Sequence, residues 1–214
     1  MRRTLLCYGD SNTHGTAPMA AWDDRARFGR DMRWPGLLAR ALALDWAVIE
    51  EGHPGRTTVH DDPIEGPHRN GLRILPAILE SHYPIDVVLL MLGTNDLKSR
   101  FSVNATDIAL ALEKLIVVIQ ASAAGPDGSA PAVLLVAPPP ILEVGCLAEI
   151  FEGGAVKSQG LGARVEAVAA RAGVPFVDAG GDIAVSGVDG IHYAADAHAT
   201  LAVTLTAAIR RHFG

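Results

Sequence analysis

The chain reads as an α/β protein, with five short strands in one parallel sheet and helices on both faces. Three observations predict this. Val87-Val88-Leu89-Leu90-Met91-Leu92 is apolar without a break, as expected of a strand covered on both sides. Strand-like and helix-like patterns alternate along the sequence, the order that builds a doubly wound sheet. Each strand is also followed by small or reactive residues, on the edge where open parallel sheets bind ligands.

The first strand spans residues 4–8 and ends in Gly9-Asp10-Ser11. A helix follows at 34–44, then a strand at 46–49, which leads into Glu51-Gly52-His53-Pro54-Gly55-Arg56-Thr57-Thr58. A second helix spans 72–81. The strand at 86–92 then runs into Gly93-Thr94-Asn95-Asp96. A helix at 107–122 lines up Ile108, Leu112, Leu115 and Ile119 on one face, with Asn104 or Thr106 as its cap. The fourth strand, 132–137, meets Pro138-Pro139-Pro140; a helix at 155–172 stops at Gly173; and the fifth strand is 175–177. Asp189-Gly190-Ile191-His192 precedes a last helix at 194–211. By analogy with other doubly wound sheets, the strand order is expected to be 2-1-3-4-5. Two segments, 16–33 and 138–154, are longer than ordinary connections and are read as functional or interfacial.

The 214 residues fit a single domain, 1–214, and 49% apolar content allows a substantial core. A net charge of −6 argues against a nucleic-acid partner. The densest basic stretch (Arg25, Arg27, Arg30, Arg33) is interleaved with Asp23, Asp24 and Asp31 and reads as a solvated or subunit-contacting loop. Cys7 and Cys146 make no disulfide framework. The apolar run after Arg2 and Arg3 is too short for a signal peptide, and no stretch approaches the roughly 18 apolar residues of a membrane helix. These features lead us to expect a cytoplasmic protein with no membrane partner.

A serine hydroxyl becomes a nucleophile when a base takes its proton, and a carboxylate must orient that base. Ser11 at a strand end, with Asp189 and His192 three apart across a glycine, supplies all three parts. Donors for a developing oxyanion are the backbone N–H groups of Ser11 and Gly55 and the side-chain amide of Asn95. Asp10 is read as structural and Asp96 as a helix or loop cap. His14 is a candidate for the pocket wall. His198 is expected at the surface, so Asp196 and His198 form a decoy pair. The spacing of His53, His60 and His68 with Asp61 and Asp62 fits none of the usual zinc arrangements. Gly153-Gly154-Ala155-Val156-Lys157-Ser158 lacks the glycine before the lysine of a phosphate loop. The chain also has neither Gly-x-Gly-x-x-Gly after the first strand nor the Gly-x-Ser-x-Gly elbow.

With these residues in place, the chain resembles the SGNH (GDSL-type) hydrolase superfamily. Ser11 in Gly-Asp-Ser, Gly55 in the second block, Asn95 in Gly-Thr-Asn-Asp and His192 in Asp-Gly-Ile-His match its four blocks in order. Glu50-Glu51-Gly52, Arg56-Thr57-Thr58, Asp61-Asp62-Pro63, Ile150 through Gly154 and Val188 through His192 resemble the arylesterase/acyltransferase branch. The resemblance implies a three-layer α/β/α flavodoxin-like fold and hydrolysis of small aryl or short-acyl esters, with acyl transfer to alcohols as a side reaction. It implies no metal and no organic cofactor. It also implies a homo-oligomer, octamers included, and a substrate pocket near Asn12, Thr94, Lys98, Ile150, Phe151 and Ile191. Asn12 and Thr16 stand where transferase-like members carry bulkier apolar side chains, which implies a more polar, wetter pocket and favours hydrolysis. Two alternatives use the same framework: an O-deacetylase of carbohydrates or other metabolites, and a binding module with a dead site.

Overall fold

The computed structural model describes residues 2–214. Its five strands are β1 (Arg3–Gly9), β2 (Trp46–Gly52), β3 (Val87–Met91), β4 (Ala132–Ala137) and β5 (Phe176–Asp178). All neighbours pair in parallel, in the order β2-β1-β3-β4-β5. The helices are α1 (Ser11–His14), α2 (Trp34–Ala41), α3 (Gly71–His82), α4 (Ala105–Gln120), α5 (Gly154–Ser158), α6 (Leu161–Ala172) and α7 (Ala195–Phe213).

Alternate residues of each central strand feed two separate cores. Leu6, Tyr8, Val88, Leu90, Val133 and Leu135 pack toward α3, α4 and α6, meeting Leu75, Leu112, Leu115 and Val165 among others. Leu5, Cys7, Val87, Leu89, Leu134 and Val136 face the opposite way, toward Trp34 and Leu38 of α2 and Leu201, Leu205 and Ile209 of α7. Because strand side chains alternate in direction, an unbroken apolar run is what a sheet between two helical layers requires.

The elements depart from the expected boundaries for local reasons. β2 continues to Gly52 because β1 stays in register with it, Cys7 opposite Glu50 and Gly9 opposite Gly52. An edge strand tolerates these charges: Glu50 bonds Arg33 at 2.6 Å and Arg30 at 3.1 Å, and Glu51 bonds His82 at 2.8 Å. The helix expected at 155–172 is two helices, broken at Gln159 and Gly160. Asn104, one of the two caps considered, closes α4 in a capping box with Asp107. The short helix α1 has no counterpart among the elements expected from the sequence.

Candidate active site

The turn that carries Ser11 depends on two glycines at paired strand ends. A Cβ on Gly9 would lie 2.0 Å from Thr13 Oγ1, and one on Gly52 would lie 2.1 Å from the His14 nitrogen. Without side chains there, α1 settles directly over the ends of β1 and β2. Asp10 caps this helix, its Oδ1 accepting from the Asn12 N–H at 2.9 Å. Burial pushes the Asp10 carboxyl up to about 6, against the Asn12 N–H and the nearby His192 and Arg56. Arg56 is itself buried: it donates to the carbonyls of Gly9 and Glu51 and lies 4.1 Å over the Tyr8 ring.

The second half of the site is one tight turn. Gly190 has φ +74°, and a Cβ there would lie 2.1 Å from the Leu142 carbonyl oxygen. That approach lets the Leu142 N–H donate to the Gly190 carbonyl at 2.9 Å and anchors the 138–154 loop. Asp189 Oδ1 accepts from the N–H groups of Ile191 and His192, both at 3.0 Å. Its Oδ2 accepts from His192 Nδ1 at 2.6 Å and from the Met19 N–H at 2.7 Å. Burial alone would raise this carboxyl, but the His192 bond and charge and the two N–H donors outweigh it and hold it near 2. Asp189 is therefore an acceptor only, which places the Nδ1 proton of His192 on its side. Nε2 is left facing Ser11 Oγ at 3.1 Å.

β3 delivers the remaining polar group. Gly93, with φ +119°, ends the strand, and Asn95 follows in a short 3-10 turn. Asn95 Nδ2 lies 3.5 Å from Asp10 Oδ2, a long contact. Asp96, read as a helix or loop cap, ties two loops together: it accepts from Thr58 N at 3.0 and 3.1 Å and from Thr58 Oγ1 at 2.5 Å. Its burial pushes its carboxyl up to about 7 against those bonds.

Ser11, Gly55, Asn95 and His192 line one cavity of about 400 Å³. Met19, Trp22, Leu147, Ile150, Phe151 and Ile191 give it an apolar wall, while Glu65, Arg69 and Lys98 give it a polar one. Arg25 also lines the cavity and donates to the Trp22 and Asp24 carbonyls, while the cations of that polar wall are compensated. Lys98 pairs with Glu65 and lies 3.6 Å from Asp62, and Arg69 lies 3.4 Å from Glu65. Of the residues expected at the pocket, Lys98, Ile150, Phe151 and Ile191 line this cavity, as does His14. Asn12 and Thr94 are buried behind it and do not line it. Sequence reasoning missed Met19, Trp22, Glu65, Arg69 and Leu147, and it read Asp24 and Arg25, which also line the cavity, as part of a solvated or subunit-contacting loop. Its one relevant signal was the length of the two loops that carry Met19, Trp22 and Leu147.

His198 also corrects an expectation. It is fully buried, accepts the Trp34 N–H at 3.2 Å and packs against the rings of Phe28 and Tyr193. Burial pushes its pKa down to about 4. Among the described residues no three His, Cys, Asp or Glu side chains are grouped so as to hold a metal, and no helix is long and apolar enough to cross a membrane.

Residues 7–202 match the GDSL-like lipase/acylhydrolase family, and the chain belongs to that family of SGNH ester hydrolases. No curated protein matches it. Among solved structures it is similar to the inhibitor-bound aryl esterase of M. smegmatis, at 41% identity over 98% of this chain and 99% of that one (TM-score 0.93). It is also similar to a carbohydrate acetylesterase from Sinorhizobium meliloti, at 36% identity over 99% and 100% of the two chains (TM-score 0.94). A second carbohydrate acetylesterase family member from that organism shares 33% identity over 98% of each chain (TM-score 0.90).

Proposed function

We propose that the chain hydrolyses small aryl or short-acyl carboxylic esters through an acyl-enzyme on Ser11. One observation carries this reading: Ser11 Oγ, His192 Nε2 and Nδ1, and Asp189 Oδ2 form a relay with 3.1 and 2.6 Å contacts on the wall of a cavity of small-molecule size. His192 takes the Ser11 proton as Oγ attacks the ester carbonyl. The oxyanion is received by the N–H groups of Ser11 and Gly55 and by the Asn95 amide. Ser11 is the first residue of a helix, so its N–H has no intrahelical partner. The tetrahedral intermediate expels the alcohol, which leaves with the proton from His192. Water then attacks the acyl-enzyme, with His192 again as base, and Ser11 is regenerated.

Carbohydrate O-deacetylation with the same residues is a second reading, favoured by the compensated polar wall of Glu65, Arg69 and Lys98. A panel of aryl acetates, alkyl acetates and acetylated sugars separates the two by relative kcat/KM. Running it with and without added alcohol, with both products quantified, measures acyl transfer. Full turnover of p-nitrophenyl acetate by a folded Ser11→Ala variant would refute both readings. A dead binding module predicts no labelling of Ser11 by a fluorophosphonate. We further place the protein in the cytoplasm as a closed homo-oligomer. Two free cysteines suit a reducing compartment, and two long loops flank the cavity. Light scattering that gives a monomer mass would rule out the oligomer.

A further inference from the structure

Asn12 follows the nucleophile and is buried, at 1% exposure, behind the cavity. Its amide reaches across to the histidine turn with both of its ends. Nδ2 donates to the Ile191 carbonyl and Oδ1 accepts from the Tyr193 N–H, each at 3.1 Å. Those two partners are the residues on either side of His192. The Asn12 backbone N–H is meanwhile held by Asp10 at 2.9 Å. Among the described residues, these two amide bonds are the hydrogen bonds, besides the Ser11–His192 contact itself, that join residues 11–14 to residues 189–193.

We propose that Asn12 is a positioning residue that fixes the distance between the Ser11 hydroxyl and the His192 imidazole. This rests on the reading of those two groups as nucleophile and base. The physical reason is a division of labour. Asp189 holds the histidine turn together from within, through the N–H groups of Ile191 and His192 and the ring Nδ1. Those bonds orient the ring relative to its own turn, and the Met19 N–H on Asp189 Oδ2 ties that turn to the loop after α1 rather than to α1 itself. Asn12 supplies the missing restraint from the residue next to the nucleophile. It uses a donor and an acceptor at once, which leucine at this position cannot provide. Both ends of its amide are used in this bracket, and the side chain does not line the substrate cavity.

The test compares Asn12→Leu and Asn12→Asp with the wild type, using p-nitrophenyl acetate and a fluorophosphonate probe. Asn12→Leu removes both bonds; Asn12→Asp keeps the acceptor and loses the donor. A displacement of about 1 Å between reacting groups costs on the order of 10²-fold, so kcat per titrated active site is expected to fall about 10- to 100-fold. KM should stay within about twofold and fluorophosphonate labelling should slow in parallel, because Asn12 touches no substrate. A purely structural role would lower the folded fraction and the melting temperature while leaving kcat per active site at the wild-type value, and that result in either folded variant overturns the proposal. Hydrogen exchange in the wild type gives a reading that needs no variant: the Tyr193 amide must be protected, and rapid exchange there overturns the bracket. Ser11→Ala in the same panel separates the two levels of failure. If it is inactive while the Asn12 variants turn over normally, only the bracket fails; if it retains full turnover, the reading of the site fails.

Discussion

Asp189 divides its work between its two oxygens. Oδ1 closes the turn by accepting two backbone N–H groups, and Oδ2 orients His192 while also accepting the Met19 N–H. Asp189→Asn preserves the size of the side chain but offers an N–H where His192 needs an acceptor. We expect kcat per folded enzyme on p-nitrophenyl acetate to fall by about 10⁴-fold. The same carboxyl is held near 2, below its ordinary 3.8. A lowered carboxyl stabilises the fold at pH values above its unfolded pKa, and that contribution is lost as pH falls through about 2. Asn95→Ala should lower kcat by about 10²–10³-fold, the usual effect of removing one oxyanion donor, which is the role proposed for its amide, with KM little changed. At this scale Ser11, Asp189 and His192 were legible because each lies in a short local motif at a strand end or a glycine turn. Met19, Glu65 and Arg69 were not: Met19 reaches the cavity through the path of a loop, and Glu65 and Arg69 are held there by Lys98 and by the Pro54 carbonyl, each distant in sequence. Asn12 was placed in the pocket by resemblance. Only the folded chain shows that the backbone on both sides of His192 engages its amide.

The elements that present these residues are set by close backbone approaches. Gly190 joins an unusual φ of +74° to a carbonyl that a Cβ would meet at 2.1 Å, so Gly190→Val is strained in two ways. It should destabilise the fold by about 1–3 kcal/mol in urea unfolding and lower kcat as well, since the turn carries His192. Asn104→Ala is the matching control on a distant helix. Loss of that cap should cost about 1 kcal/mol with kcat unchanged, because α4 presents no residue to the cavity. Strand positions and order were legible from apolar runs, since a sheet buried on both faces leaves a continuous pattern. The break between α5 and α6 was not, because Gly160 sits inside a helical periodicity that continues on both sides of it. Nor was α1, whose four residues are too few to show any period. The extension of β2 to Gly52 follows from pairing with β1, which places two glutamates in an edge strand that composition alone would end earlier.

At the scale of the whole molecule, two buried carboxyls link stability to pH in the opposite sense from Asp189. Burial raises Asp10 to about 6 and Asp96 to about 7, both from 3.8. A raised carboxyl stabilises the fold fully below its unfolded pKa, and this is lost as pH climbs through the folded value, here between about 4 and 7. Urea unfolding at pH 4 and pH 8 should therefore show a steeper loss of stability in the wild type than in Asp96→Asn; parallel pH profiles would contradict this. The three-layer architecture brings Ser11 and His192 together from opposite ends of the sequence over one sheet edge, and the proposed chemistry depends on that meeting. Peptide mapping after titration with a fluorophosphonate probes it with the fewest intervening assumptions. A single adduct is expected, on the peptide carrying Ser11, with ester hydrolysis lost in proportion to labelling. An adduct elsewhere, or hydrolysis that survives complete labelling of Ser11, would show that the reaction runs without it.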